Sequence, residues 1–137
     1  MIKKRAFTLI ELIVVLSIVA ILISVIRINF IQSRKTLALE ELNMISEQIV
    51  NARSYCISNK SNVKIISSRD NNSIKITSDG YYSKNIVCKY LTVSNSIDFN
   101  FNKNGVPDKG NSFNFRYKKN EYWIHIRPAT GFVNVEK

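Results

Sequence analysis

RAFTLIELIVVLSIVAILI, residues 5–23, is the stretch from which the rest of the chain is read. From Phe7 to Ile26 the only polar interruptions are Thr8, Glu11, Ser17 and Ser24, and no Gly or Pro breaks the run. As a helix this segment is roughly 30 Å long, enough to cross a bilayer. Lys3, Lys4 and Arg5 precede it; by the positive-inside rule they stay in the cytoplasm and the C-terminal part goes outward. A cleavable secretory signal would leave the run through an A-x-A pattern of small residues, whereas ISVIRINF, residues 23–30, stands there. A plain uncleaved anchor leaves Glu11 unexplained, because an ionised carboxylate in the apolar layer costs about 3 kcal/mol.

An acid inside a membrane faces a partner, so the question becomes which cation reaches Glu11. Arg5 lies outside the run and can snorkel to the interface. A cut between Ala6 and Phe7 would give Phe7 a free amine, one helical turn from Glu11 of its own chain. The same amine can meet Glu11 of a neighbouring chain, and then the burial of the acid is favourable only in an assembly.

Lys3-Lys4-Arg5-Ala6 followed by Phe7-Thr8-Leu9-Ile10-Glu11-Leu12 and a long apolar helix resembles the class III signal of type IV pilins and pseudopilins. The resemblance implies cleavage after Ala6 by a prepilin peptidase, methylation of the new Phe7 amine, and a subunit-docking role for Glu11. It also implies partners: the peptidase, other pilins in a fibre, a membrane assembly platform, and membrane lipid before assembly. Ala6 departs from the Gly usual before the cut, and the Pro that many major pilins carry inside the helix is missing.

The helical pattern outlasts the apolar run. Ile31, Ala38, Leu42, Ile45, Ile49, Ala52 and Cys56 recur at spacings of three, four or seven and form one narrow stripe, with Arg34, Glu40, Glu41, Glu47 and Arg53 on other faces. The helix is expected to continue to Cys56 or Asn59, giving roughly 75 Å from Phe7. The stripe suits a coiled-coil seam or, preferably, packing on the strands that follow. The expected divisions are a leader over 1–6, a membrane or filament-core helix over 7–26, its amphipathic extension over 27–58, and an extracytoplasmic β-rich domain over 59–137.

In the C-terminal part VKIIS and SIKIT alternate between polar turns, and IVCKYLTV, SIDFNF, SFNFRYK, EYWIHIR and FVNVE read as further strands. The expected class is α+β: a long N-terminal helix packed by its second half on an antiparallel sheet. NKNGVPDKGN, residues 102–111, is expected to turn the chain between antiparallel strands. Its Asn102, Asn104 and Asp108 supply oxygens of the kind calcium takes, but the spacing does not fit an EF-hand loop and a plain turn is preferred. The tail, IDFNFNKNGVPDKGNSFNF and then EYWIHIRPATGFVNVE, resembles the C-terminal strands of H-type pseudopilins of type II secretion, FimT-type minor pilins and the D-type competence pseudopilin. Gly131 to Glu136 is the piece most like the competence protein, which favours a fibre for DNA uptake over secretion.

Chemistry has little to stand on. The single His125 alternates with Tyr122, Ile124 and Ile126 in a strand pattern, and neither a nucleophile motif, a phosphate loop nor metal-ligand spacing is present. The reading is a non-enzyme without cofactor or metal. The formal charge is +10; without residues 3–5 there remain 17 basic against 10 acidic side chains, and the basic ones are spread from Arg27 to Lys137. A second reading, of another class, lets Arg116, Lys118, Lys119 and Arg127 contact DNA around the last hairpin, with Tyr122 or Trp123 stacking on bases. Cys56 and Cys88 both follow the apolar run, on the oxidising side, and a bridge between them is expected.

Overall fold

The structure is a computed structural model that describes residues 9–79 and 83–136, the side chains of residues 25–33 excepted. The leader, the cleavage pair Ala6 and Phe7, and the side chain of Ile31 therefore lie outside the described residues. The chain divides into two units, residues 1–36 and residues 37–137.

The described part of the first unit is helix, the beginning of α1 (Leu9–Asn59). Ser17 Oγ donates to the Ile13 carbonyl and Ser24 Oγ to the Ala20 carbonyl, each at 2.9 Å. Both hydroxyls are thus satisfied within the helix and ask nothing of an apolar surrounding. The side chains from Leu9 to Ser24 are all exposed, the large apolar ones from 44% at Val19 to 74% at Leu9. Among the described residues no helix is long and apolar enough to cross a membrane; the expected span, 7–26, runs past the described side chains at both ends.

In the second unit α1 turns one stripe inward. Ala38, Leu42, Ile45, Ile49, Ala52 and Cys56 are fully buried, six of the seven positions picked by periodicity. They meet strands β1 (Val63–Ser68), β2 (Ser73–Ser78), β3 (Ser83–Val87), β4 (Thr92–Val93), β5 (Ile97–Phe101), β6 (Asn111–Tyr117), β7 (Asn120–Ile126) and β8 (Val133–Glu136). The expected α+β arrangement is present, but the strands form two antiparallel sheets of four rather than one. The orders are β3-β2-β1-β5 and β4-β6-β7-β8. Alternation sends Val63 and Ile65, Ile74 and Ile76, Phe99 and Phe101, Phe113 and Phe115, and Ile124 and Ile126 into the core. Phe99 and Phe113, with ring centroids 5.9 Å apart, join the two sheets. Each such buried side chain contributes about 1.5–3 kcal/mol.

Two expectations about the strands are corrected. The linker 102–111 does not join hairpin neighbours: Asn102 N donates to the Val106 carbonyl and Asp108 N to the Asn100 carbonyl, so it folds back along β5 before crossing to the other sheet. IVCKYLTV is not one strand either. It is interrupted over 88–91, where the Glu41 and Asn72 side chains take up backbone groups and Cys88 N donates to the Asn72 carbonyl.

The expected Cys56–Cys88 bridge is absent; both are buried free thiols. Lys89 N donates to Glu41 Oε1, which places Cys88 at the level of residue 41, while Cys56 Sγ lies 3.9 Å from the Phe101 carbonyl. Fifteen helical residues separate those levels, roughly 22 Å, against a Cα separation of about 6 Å in a disulfide.

Candidate functional site

The sequence concentrates its functional candidates at the two ends of the chain. Glu11 lies near the start of the described part of α1, among exposed apolar side chains. Ala6 and Phe7, with which it is expected to act, lie outside the described residues.

The second unit holds a carboxylate that periodicity set on another face. Glu41 is 9% exposed; Oε1 accepts from Lys89 N at 2.6 Å, and Oε2 accepts from Tyr90 N at 2.9 Å and Leu91 N at 2.8 Å. Asn72 holds the same loop from the other side. Its Nδ2 donates to the Cys88 and Leu91 carbonyls, and its Oδ1 accepts from Val93 N. The loop from Cys88 to Leu91, which leads from one sheet to the other, is thereby fixed by two side chains and leaves Lys89 and Tyr90 exposed. A signal for Glu41 was present: it stands four residues before Ile45 and eleven before Ala52, both on the buried stripe. Burial pushes the Cys88 thiol up to about 12, with the Glu41 carboxylate adding to the effect. Burial also raises the Cys56 thiol, against the opposing influence of backbone hydrogen bonds and Arg53.

Arg53 is the second charged residue of α1 with a fixed role. Its Nε donates to the Gly105 carbonyl at 2.9 Å, and Gly131 packs against the same carbonyl. The linker and the PATG turn thus meet on one helical residue. Of the oxygens weighed for calcium, Asn102 Oδ1 accepts the amide hydrogens of Asn104 and Val106, as in an Asx turn. Among the described residues no group of three His, Cys, Asp or Glu is placed to hold a metal.

The four basic residues considered for DNA do not converge. Arg116 is paired with Glu121 at 3.1 Å. Lys118 leaves the strand for the turn, with φ 55°, and its ammonium lies 5.4 Å from the Tyr117 ring centroid. Lys119 is beside it in the turn. Arg127 lies past the opposite end of β7, against Phe132, roughly 24 Å of strand away. Tyr122 is buried and Trp123 lies parallel to His125, so neither is an open stacking platform of the kind expected. His125 is engaged at both nitrogens, Nδ1 with Ser112 Oγ at 2.7 Å and Nε2 with Glu136 Oε2 at 3.1 Å.

α1 is apolar and exposed over its described N-terminal part, and from Ala38 onward it packs on two antiparallel sheets. Residues 1–26 match the prokaryotic N-terminal methylation motif. The crystal structure of the type IV minor pilin FimU of Pseudomonas aeruginosa is similar in fold, with a TM-score of 0.59 and 15% identity. The match covers 75% of this chain and 90% of that one. No curated protein matches the chain in sequence. The chain is type IV pilin-like: it joins the N-terminal methylation motif to the fold of a type IV minor pilin.

Proposed function

We propose that this chain is a minor pilin or pseudopilin. It is stored in the membrane by residues 7–26, cut between Ala6 and Phe7 by prepilin peptidase, methylated on Phe7, and assembled into a short fibre through its N-terminal helix. The observation that carries the reading is the methylation motif on a helix whose described apolar side chains from Leu9 to Ile23 are exposed on every face. Apolar surface of that extent demands lipid or protein around it, and Glu11 supplies the carboxylate to neutralise a Phe7 amine in the same or the next subunit.

The orientation follows from Lys3, Lys4 and Arg5: N-terminus in the cytoplasm, β-rich unit outside, and the cell surface after assembly. The role is structural, without catalysis. Within this class we assign the chain to a DNA-uptake fibre, on the likeness of Gly131 to Glu136 to the competence pseudopilin; a secretion pseudopilin or a pilus minor pilin is the alternative. Direct DNA contact through Lys118 and Lys119 is the weaker reading, since Arg116 is paired and Arg127 is distant.

The deciding experiment is the N-terminal residue and mass of the protein from membranes of cells with and without the peptidase. Methylated Phe7 only in the presence of the enzyme is the expected result. Intact Met1 in both strains refutes the processing step and with it the fibre reading.

A further inference from the structure

The chain closes one edge of the β3-β2-β1-β5 sheet and leaves the other open. At β5 the linker covers the edge: Asp108 N donates to the Asn100 carbonyl, and Pro107 bridges to Phe101. Outside β3 no described strand follows. Cys88 N donates to the Asn72 carbonyl, which makes residues 72 and 88 a hydrogen-bonded pair of the antiparallel ladder. By alternation Ile74–Ile86 and Ile76–Lys84 are the next such pairs, so Ser83, Asn85 and Val87 turn their amide and carbonyl groups away from β2. An open edge is commonly guarded by a lysine. The lysine of β3, Lys84, shares the face of buried Ile86 instead and donates to Gln48 Oε1 at 2.7 Å.

The side chains of Asn85 and Val87 lie over the outer face of the sheet, where with Ile66, Asn71, Ser73 and Lys75 they line a hollow of about 500 Å³. Its polar groups are unused. Ser73 is 8% exposed, lines the hollow, and its hydroxyl bonds to no described residue. Lys75, paired in register with Ile66 on one side and Asn85 on the other, is exposed and has no ion pair among the described residues. Asp98, opposite Ile66 on the same face, is held by Lys64 at 2.8 Å, and no acid lines the hollow.

We propose that β3 is a docking edge for an extended acidic segment of a partner protein, which pairs with Ser83 to Val87 as an added strand and sets a carboxylate in the hollow on Lys75 and Ser73. Strand addition takes affinity from main-chain hydrogen bonds and specificity from pockets for alternate side chains. Both parts are present on one rim: outward amides and carbonyls at alternate residues of β3, and beside them a hollow with an unpaired ammonium and a free hydroxyl. An ammonium and a hydroxyl together select a carboxylate, through a charge-assisted bond, while Ile66 and Val87 accept the apolar neighbours of that side chain. A small carboxylate fills the hollow but leaves the edge unpaired. The chain's own β8, the other strand that ends in an acid, has its Glu136 held by His125. The proposal stands on this sheet alone and is independent of the fibre reading.

The full chain in detergent is titrated into the capped, rhodamine-labelled peptide Val-Thr-Glu-Thr-Val and followed by fluorescence anisotropy. The same peptide with Gln or Lys in place of Glu, and a form with alternate backbone nitrogens methylated, are run beside it. Saturable binding of the Glu peptide is expected at a Kd of about 1 mM or below, roughly tenfold weaker for the Gln and Lys peptides. The methylated form should not bind, because it cannot pair with the edge. Lys75→Gln, an exposed change outside the core, is expected to remove the preference for Glu over Gln. No saturable binding of the Glu peptide overturns the proposal, as does equal binding of the Gln or methylated forms. Full displacement of the peptide by an equal concentration of hexanoate would assign the hollow to a small carboxylate and overturn the added strand. A dimer seen by sedimentation without peptide, and lost in Lys75→Gln, would give the edge to a second copy and overturn it too.

Discussion

Glu41 Oε2 accepts the Leu91 amide hydrogen at 2.8 Å across fifty residues of sequence. With Lys89 and Tyr90 it makes a three-fold clamp that joins α1 to the loop between the sheets. Bonds from amides to a carboxylate are stronger than neutral ones, and removing the acceptor strands three donors, one of them fully buried.

Glu41→Ala is therefore expected to destabilise the fold by about 3 kcal/mol, and Glu41→Gln by about 2 kcal/mol, since the amide keeps one acceptor but turns a donor toward the loop. For a unit of this size the second change lowers Tm by about 10 °C. Thermal unfolding by circular dichroism gives the values. A Glu41→Gln protein as stable as the parent would mean that the carboxylate charge contributes nothing to the loop.

The clamp also marks where the sequence was readable. A run of apolar residues at three and four spacing has one buried solution, so Ala38 to Cys56 emerged in place; strands from Val63 and Ser73 did so because alternation bounded by Asn, Ser and Asp has no competing period. The two sheets were not readable. Partition depends on whether the linker after Phe101 folds back on β5, which is decided by Asn102, Gly105 and Arg53 acting across distance in the chain. Glu41 was misplaced because a charge is ordinarily assigned to solvent, although its angular position put it with Ile45 and Ala52. The bridge failed for a related reason: cysteine count and compartment say that a disulfide is permitted, whereas two levels of one helix decide whether the sulfurs meet.

The free thiols carry their own prediction. Cys88 is held near pH 12 by burial and Cys56 is also raised, so both are protonated and shielded in the folded chain. A folded pKa above the unfolded one gives stability that is complete below the unfolded value, here 9.0, and lost as pH rises toward 12. Reaction with Ellman's reagent at pH 8 is expected only after denaturant unfolds the protein, with both thiols appearing together. Stability measured by urea should fall from pH 9 upward, less steeply in Cys88→Ala. Rapid labelling of native protein, or a mass two daltons below that of the dithiol, would contradict the thiol assignment.

Gly131 and Gly105 meet at Arg53, and their substitutions separate backbone from side-chain crowding. Gly131 has φ 65°, and an added Cβ would stand 2.5 Å from the Gly105 carbonyl oxygen and 2.8 Å from Arg53 Nε. Gly105 has φ 72°, but its added Cβ meets the tip of Ile57 at 2.8 Å, which can rotate. Both alanines are strained by the left-handed backbone. Gly131→Ala must in addition move a carbonyl and break the Arg53 bond, so it is expected to cost about 3 kcal/mol against about 2 kcal/mol for Gly105→Ala. Urea midpoints at constant m-value rank them; the reverse order would show that the PATG turn yields more easily than the linker.

At the other end of the chain the prediction concerns assembly rather than folding. In the proposed fibre Glu11, exposed near the start of the described helix, gives its carboxylate to the Phe7 amine of the same or the next subunit. Removing it spares the basic stub and the residues flanking the cut, so the peptidase should still process Glu11→Ala. The lost pairing, at about 1.4 kcal/mol for one contact, corresponds to a tenfold fall in incorporation. Sheared fibres and membranes are to be compared by immunoblot, with the N-terminus of each sequenced. Equal incorporation of Glu11→Ala, with Phe7 confirmed as the first residue, would remove the docking role; Glu11→Asp, which keeps the charge one bond shorter, should recover part of the loss if pairing with the Phe7 amine is the cause.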